Sequence, residues 1–94
     1  MVRSEMVRKV CEANPHLSPQ AVEDAIEAIL REIETTLVRG QRIELRGFGN
    51  FFIRHRLARI GRNPKNGDCV SVAAKDVLRF QASRQLLARI NSEG

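Results

Sequence analysis

The residues best suited to chemistry in this 94-residue chain are a run of cations in its second half. Five positive charges fall within twelve residues, with no carboxylate among them: Arg54, Arg56, Arg59, Arg62 and Lys65. In a strand, Arg54 and Arg56 would project from one face about 7 Å apart, a spacing that suits successive phosphates. A hairpin edge that is only protected from aggregation by charge would usually mix both signs. The run therefore favours a polyanionic ligand.

The charge of the whole chain is divided unevenly. Residues 1–40 hold five basic and seven acidic residues, a net charge of −2, whereas residues 41–94 hold eleven basic and four acidic, a net charge of +7. Thirteen of the 16 basic residues are arginine, whose planar guanidinium pairs with phosphate oxygens in a bidentate manner. The second half of the molecule is thus predicted to bind an anion.

Other chemistries find little support in the sequence. Cys11 and Cys69 form no CxxC pair, and His16 and His55 add no zinc-like spacing, so we expect reduced thiols and no metal or other cofactor. No nucleophile and base are arranged for catalysis, so we expect neither an enzyme nor a small-molecule substrate. The start of the chain is too charged for a signal peptide, and no apolar run approaches the ~20 residues of a membrane span. We therefore expect a cytoplasmic protein with no membrane partner.

Two helices are predicted ahead of the cations. The first has an apolar stripe behind Ser4, its predicted N-cap, and ends before Pro15, which disfavours a helical residue ahead of it. The second begins with Ser18 as N-cap and Pro19 at its first position, and Gly40 closes it. Its apolar residues recur at the helical period: Val22, Ala25, Ile26, Ile29, Leu30, Ile33 and Leu37.

After Gly40 the apolar period changes from that of a helix to that of a strand. Strand segments are predicted at 42–46, 50–57, 70–74 and 77–80, with a turn at 47–49, a hairpin tip at 62–67 and a final helix capped by Ser83. The predicted class is α+β in the order ααβββα, with one domain over residues 1–94. The outer part of the hairpin has almost no apolar residues, so it must contact another molecule.

Two motifs resemble the HU/integration host factor family of bacterial histone-like DNA-binding proteins. Residues 47–51, GFGNF, resemble the family's GFG-x-F, and residues 59–67, RIGRNPKNG, resemble R-x-GRNP-x-TG. The likeness extends along nearly the whole chain in element order and length. Glu44 and Arg46, together with AVEDA at residues 21–25, resemble the β subunit of integration host factor more than HU.

The resemblance implies both a fold and a function. The implied fold has two N-terminal helices, a three-stranded antiparallel sheet, a long β-hairpin arm at about residues 54–72 and a C-terminal helix, in an intertwined dimer. The implied function is that of an architectural protein that binds the minor groove of duplex DNA and bends it by inserting Pro64 from each arm tip. Such a protein acts in nucleoid organisation, transcription, replication and recombination. Its partners are double-stranded DNA and either an identical or a related subunit.

The site residues follow from the same resemblance and from local charge. The expected DNA contacts are Arg3 and Ser4 at the first helix, Arg42, Glu44 and Arg46 on the first strand, Arg54, Arg56, Arg59, Arg62, Asn63, Pro64 and Lys65 in the arm, and Arg84 in the last helix. Arg46 would enter the minor groove with Glu44 orienting it, or the two would form an exposed ion pair. Phe48, Phe51 and Phe80 resemble the family's dimer core. Phe52 points outward by the alternation, towards the base of the arm or the partner chain.

Some residues depart from the family pattern, so the entry to the last helix must be built differently, and several alternatives stay open. Asn66 replaces the usual Thr at the tip, while Leu78 and Ser83 replace a proline and a glycine ahead of the last helix. An HU-like homodimer without sequence specificity is the alternative to a subunit of a site-specific heterodimer. A helix-turn-helix repressor is disfavoured by the acidic face of the second helix, and an RNA-binding module by the shortage of exposed aromatics.

Overall fold

The computed structural model describes residues 1–93. Its elements are α1 (Arg3–Ala13), α2 (Pro19–Val38), β1 (Ile43–Leu45), β2 (Gly49–Arg56), β3 (Arg59–Arg62), β4 (Cys69–Val72), β5 (Lys75–Ala82) and α3 (Arg84–Glu93). The α+β class is confirmed, as are the two N-terminal helices, the three-stranded sheet and the C-terminal helix, but the chain has five strands where the order ααβββα has three, because the arm forms a separate strand pair. The chain forms two compact units, a helical unit of residues 1–36 and a sheet unit that begins at residue 37. Among residues 1–93, no helix combines the length and apolar character that crossing a membrane requires.

The helical unit contains α1 and most of α2. The predicted start of α2 is confirmed, since the Ala21 N–H donates to Ser18 Oγ at 3.1 Å. The prediction that Ser4 caps α1 is wrong. The cap is Val2, whose extended backbone precedes the helix, and whose carbonyl accepts the Met6 N–H at 3.1 Å. Ser4 therefore lies already inside the first turn, where its side chain cannot act as the cap.

The sheet unit contains a three-stranded antiparallel sheet in the order β1-β2-β5 and a separate two-stranded ribbon of β3 and β4. The β2–β5 pairing continues to Arg56 opposite Lys75. Pairing stops at residues 57–58 and 73–74, and the ribbon (residues 59–72) then begins with Arg59 opposite Val72. The last strand is longer than predicted because it continues the β2 ladder down to this break.

The register divides the three-stranded sheet into two unlike faces, because directly opposed residues project to the same side. One face, the apolar face, carries Ile43, Phe51, Ile53, Leu78 and Phe80. The other, the basic face, carries Glu44, Asn50, Phe52, Arg54, Arg56, Lys75, Val77, Arg79 and Gln81. Phe52 thus points outward from the apolar face, as the alternation predicts.

Ser83 joins α3 to the sheet. Its hydroxyl oxygen accepts the Leu86 N–H at 3.1 Å, which confirms the predicted N-cap. Its own N–H donates to the Phe48 carbonyl at 2.8 Å, so the start of α3 is held against the turn between β1 and β2. The residue that stands in place of the family's glycine therefore supplies both a cap and an anchor. Leu78, in place of the proline, lies opposite Ile53 within an uninterrupted β5.

Candidate nucleic-acid interface

The tip of the ribbon (residues 63–68) is held by hydrogen bonds of its own. The Asn63 side-chain carbonyl accepts the Lys65 N–H at 2.9 Å, and the Asn63 N–H donates to the Asp68 carbonyl at 2.8 Å. Such Asx bonds fix a turn locally. Pro64 lies between these bonds with its ring exposed to solvent. The tip is therefore a preformed turn that presents a rigid apolar ring.

Along the ribbon, the cations lie close to the backbone. A Cβ added at Gly61 would meet Arg59 Nη1 at 3.2 Å, so the Arg59 side chain lies over the glycine. Arg62 Nη1 donates to the Gly67 carbonyl at 3.3 Å. Neither guanidinium has a carboxylate partner among residues 1–92, whose side chains the structure describes. The ribbon keeps its positive charge available for an external ligand.

The basic face adds four more cations at the root of the ribbon. Arg54 and Arg56, expected in the arm, lie in β2 within the three-stranded sheet. Lys75 lies opposite Arg56, and Arg79 lies opposite Phe52. Lys75 and Arg79 were not among the predicted contacts, because only the strand register brings them to this face. Counting alternate residues of β5 back from Gln81 would have found them, once the strand was known to reach residue 75.

The arginines of the helical unit are paired internally with carboxylates. Arg8 Nη1 lies 2.9 Å from Glu12 Oε1, and Arg31 Nη2 lies 2.9 Å from Glu27 Oε1. Arg3, a predicted DNA contact, also approaches Glu27, at 3.9 Å. Seven cations without a carboxylate partner among residues 1–92 lie on the ribbon and the basic face: Arg54, Arg56, Arg59, Arg62, Lys65, Lys75 and Arg79.

The pairing of Glu44 differs from the expected one. Its carboxylate lies 3.3 Å from Arg42 Nε, so it pairs with Arg42 rather than with Arg46. Arg46 lies in the turn after β1 and is exposed. The expectation that Glu44 orients Arg46 is thus not met, because the turn removes Arg46 from the strand that carries Glu44.

Three phenylalanines form one cluster on the sheet unit. The Phe80 ring centroid lies 5.4 Å from that of Phe48 and 4.7 Å from that of Phe51. Phe48 remains 47% exposed and Phe80 43% exposed. Burying such rings is a large source of stability, so an exposed cluster is typical of a surface that another chain covers.

Comparison with known proteins shows which family shares this sequence and fold. The sequence profile of a family described as "Bacterial DNA-binding protein" matches residues 1–91. A protein named integration host factor subunit beta, from Halorhodospira halophila, is 45% identical over 92 residues, which are 98% of this chain and 90% of that protein. The chain belongs to the HU/integration host factor family. It is an architectural DNA-binding protein, and the family is not a class of enzymes.

Solved structures agree with the family and the fold. An Anabaena HU–DNA cocrystal structure matches with a TM-score of 0.80 and 30% identity, covering 96% of this chain and 97% of that one. An HU variant from Thermotoga maritima matches in fold with a TM-score of 0.69 and 20% identity, covering 96% and 99% of the two chains.

The remaining predicted residues of this HU/integration host factor protein are scattered. Arg84 is the first residue of α3, and its side chain is exposed, as is that of Ser4 in α1. Cys11 is half-buried and Cys69 exposed, and neither is in a disulfide. His55 Nδ1 lies 2.8 Å from the carboxylate of Asp76, its cross-strand partner.

Proposed function

We propose that this HU/integration host factor protein acts as one subunit of a dimer that binds the minor groove of duplex DNA and bends it through Pro64 at each arm tip. The observation that carries the proposal is a ribbon with uncompensated cations that ends in an exposed Pro64. A proline ring is rigid and apolar and has no N–H to satisfy, so it can lie between base pairs and unstack them. Arg62 and Asn63 flank the ring, where they would contact the minor groove.

In the sheet unit the proposed contacts are the cations of the ribbon and of the basic face together with the start of α3, and in the helical unit they are at the start of α1. Phosphate and groove contacts are assigned to Arg3, Ser4, Arg42, Arg46, Arg54, Arg56, Arg59, Arg62, Asn63, Lys65 and Arg84, with Lys75 and Arg79 added from the register. Unpaired N–H groups at the start of α1 favour an anion there, beside Arg3. Glu44 would act through Arg42, its ion-pair partner.

Dimerisation is supported by how little of the chain is buried. Among residues 1–93, the only buried apolar side chains are Val22, 2% exposed, and Ile26, 8% exposed. A chain of this size with so small a core needs another source of apolar burial. We assign Phe48, Phe51 and Phe80 to the interface with the second chain.

The partner is proposed to be a related chain. The 45% identity to a protein named as a subunit supports a heterodimer of the integration host factor type. An HU-like homodimer is the second candidate, favoured by the match to the Anabaena HU–DNA structure. In either case the site of action is the nucleoid, within the cytoplasm. A gel-shift titration of the chain alone separates the two, because tight binding without a second subunit supports the homodimer.

Bending is tested by Pro64→Ala in a DNA ring-closure assay. We expect ring closure to fall more than duplex affinity, since the alanine cannot wedge a base step open but the cations remain. Pro15→Ala, in the loop between α1 and α2, is the matched control and should close rings as the wild type does. Unchanged ring closure by Pro64→Ala would remove the wedge from the mechanism.

A further inference from the structure

A cleft on the basic face lies beside Phe52, away from the ribbon tip. Its volume is about 540 Å³, and its lining residues include Gly40, Arg42, Phe52, Arg54 and Gln81. Sites that take one small ligand are typically ~300–1,000 Å³, so the cleft has room for a single nucleotide.

Arginines neighbour Phe52 on the basic face. The Arg54 guanidinium carbon lies 5.9 Å from the ring centroid. Arg79 is the direct partner of Phe52 on β5. Arg42 immediately precedes β1, whose Ile43 lies opposite Phe51, so the register brings Arg42 level with Phe52. A half-buried aromatic ring thus lies among cations on the face opposite the phenylalanine cluster.

Each part of this surface has a counterpart in a nucleotide. A base can stack on a phenyl ring, which is worth about 1–3 kcal/mol per base in single-strand binding proteins. Guanidinium groups bind the phosphates on either side, and the amide of Gln81 offers both a donor and an acceptor to a base edge. Glu44 engages Arg42 through Nε at 3.3 Å, so a phosphate would bind the terminal nitrogens of that guanidinium.

We infer that this cleft binds one unpaired nucleotide of a single nucleic-acid strand, with the base on Phe52 and the phosphates at Arg42 and Arg54. In a duplex both faces of a base are covered by its neighbours, so Phe52 selects a base that is free of them. The inference goes beyond the proposed function, because it involves neither Pro64 nor the bending of a duplex.

The test compares Phe52→Leu with Phe52→Tyr in the full-length protein. Leucine removes the ring but keeps an apolar side chain of similar size, whereas tyrosine keeps the ring. We expect Phe52→Leu to weaken binding of a labelled short oligothymidine roughly 5- to 150-fold, which is the stacking free energy converted to affinity. Phe52→Tyr should bind as the wild type does, and duplex affinity and ring closure should be unchanged in both variants.

Several results would overturn the inference. The first is that the wild-type protein does not bind single strands. The second is that Phe52→Leu binds them as well as the wild type does. The third is that Phe52→Leu loses single-strand and duplex affinity to the same extent. Oligouridine measured in parallel shows whether the cleft binds RNA or DNA. If Phe52→Leu weakens binding of only one of the two strands, the cleft binds that kind of strand. Pro64→Ala should retain oligothymidine binding, so the cleft and the arm can fail independently.

A second measurement uses only the wild-type protein, so its result does not depend on whether a variant folds. A single strand containing 5-iodouracil can be photocross-linked to the wild-type protein and the adduct located by mass spectrometry. We expect the adduct at Phe52, in the peptide that contains β2. An adduct found only within residues 59–72 would contradict the inference.

Discussion

Arg56 tests directly whether the basic face follows phosphates. It lies at the end of β2, opposite Lys75, and has no carboxylate partner among residues 1–92. Arg56→Gln removes the charge but keeps a long polar side chain at an exposed strand position, so the sheet should be retained. If Arg56 neutralises a phosphate, the substitution should flatten the dependence of log affinity on log salt.

The size of the effect follows from the number of contacts removed. Each phosphate contact on B-DNA contributes about 0.9 to that slope, and a dimer carries two copies of Arg56, so the slope should flatten by about 1.8. Fluorescence anisotropy with a labelled duplex over a series of KCl concentrations measures it. Both proteins must be titrated on the same duplex, because affinities at different salt concentrations are not comparable.

Arg31→Gln is the matched control. Arg31 is an exposed arginine of α2 whose guanidinium already lies 2.9 Å from Glu27. Its removal changes net charge equally, yet the slope should stay that of the wild type. A wild-type slope for Arg56→Gln would place Arg56 off the DNA. Equal flattening by both variants would mean that the slope reports overall charge and not contacts.

Two further substitutions test how the sheet unit is built. Gly49→Ala should lower the free energy of unfolding by about 1–3 kcal/mol. The added Cβ would lie 2.5 Å from the Gln81 carbonyl oxygen and 2.7 Å from the Phe80 ring. Urea unfolding measures the effect, and a Gly49→Ala variant as stable as the wild type would show that β5 can shift. Ser83→Ala should cost about 1 kcal/mol through the lost bond to Leu86 N–H, whereas Ser83→Asp should keep the cap. Equal thermal stability of the two variants at one protein concentration would contradict a capping role.

The parts of the fold that depend on local chemistry were predictable. Ser18 and Pro19 fix the start of α2, because the hydroxyl accepts a backbone N–H and the proline lacks one where none is needed. Gly40 follows the end of α2 with a φ of 77°, a conformation that favours glycine. Ser83 caps α3 as expected. Each of these features involves residues close together in the chain.

Ser4 shows the limit of local reasoning about a helix start. A serine ahead of an apolar stripe has the composition of a cap, yet the helix begins at Arg3, and Val2 takes the cap position. The hydrogen bond between Met6 and Val2 decides the boundary through the backbone alone. No side-chain pattern in the sequence reports that choice.

The candidate interface depended on long-range register and was only partly predictable. The cations of the ribbon are adjacent in sequence, so their grouping was visible. Lys75 and Arg79 join the basic face only because β5 pairs with β2 along eight positions. Glu44 could reach an arginine on either side, and the turn at Arg46 leaves Arg42 as its partner.

Because the core of the single chain is small, the fraction of folded protein should depend on the concentration of its subunits. Val22 and Ile26 alone bury little apolar surface, so a lone chain has little to oppose its unfolding. If most of the folding free energy comes from the second chain, mass action couples folding to assembly. At low abundance the amount of heterodimer would then rise with the product of the two subunit concentrations. Synthesis of the partner would set how much of this chain exists in folded form at all.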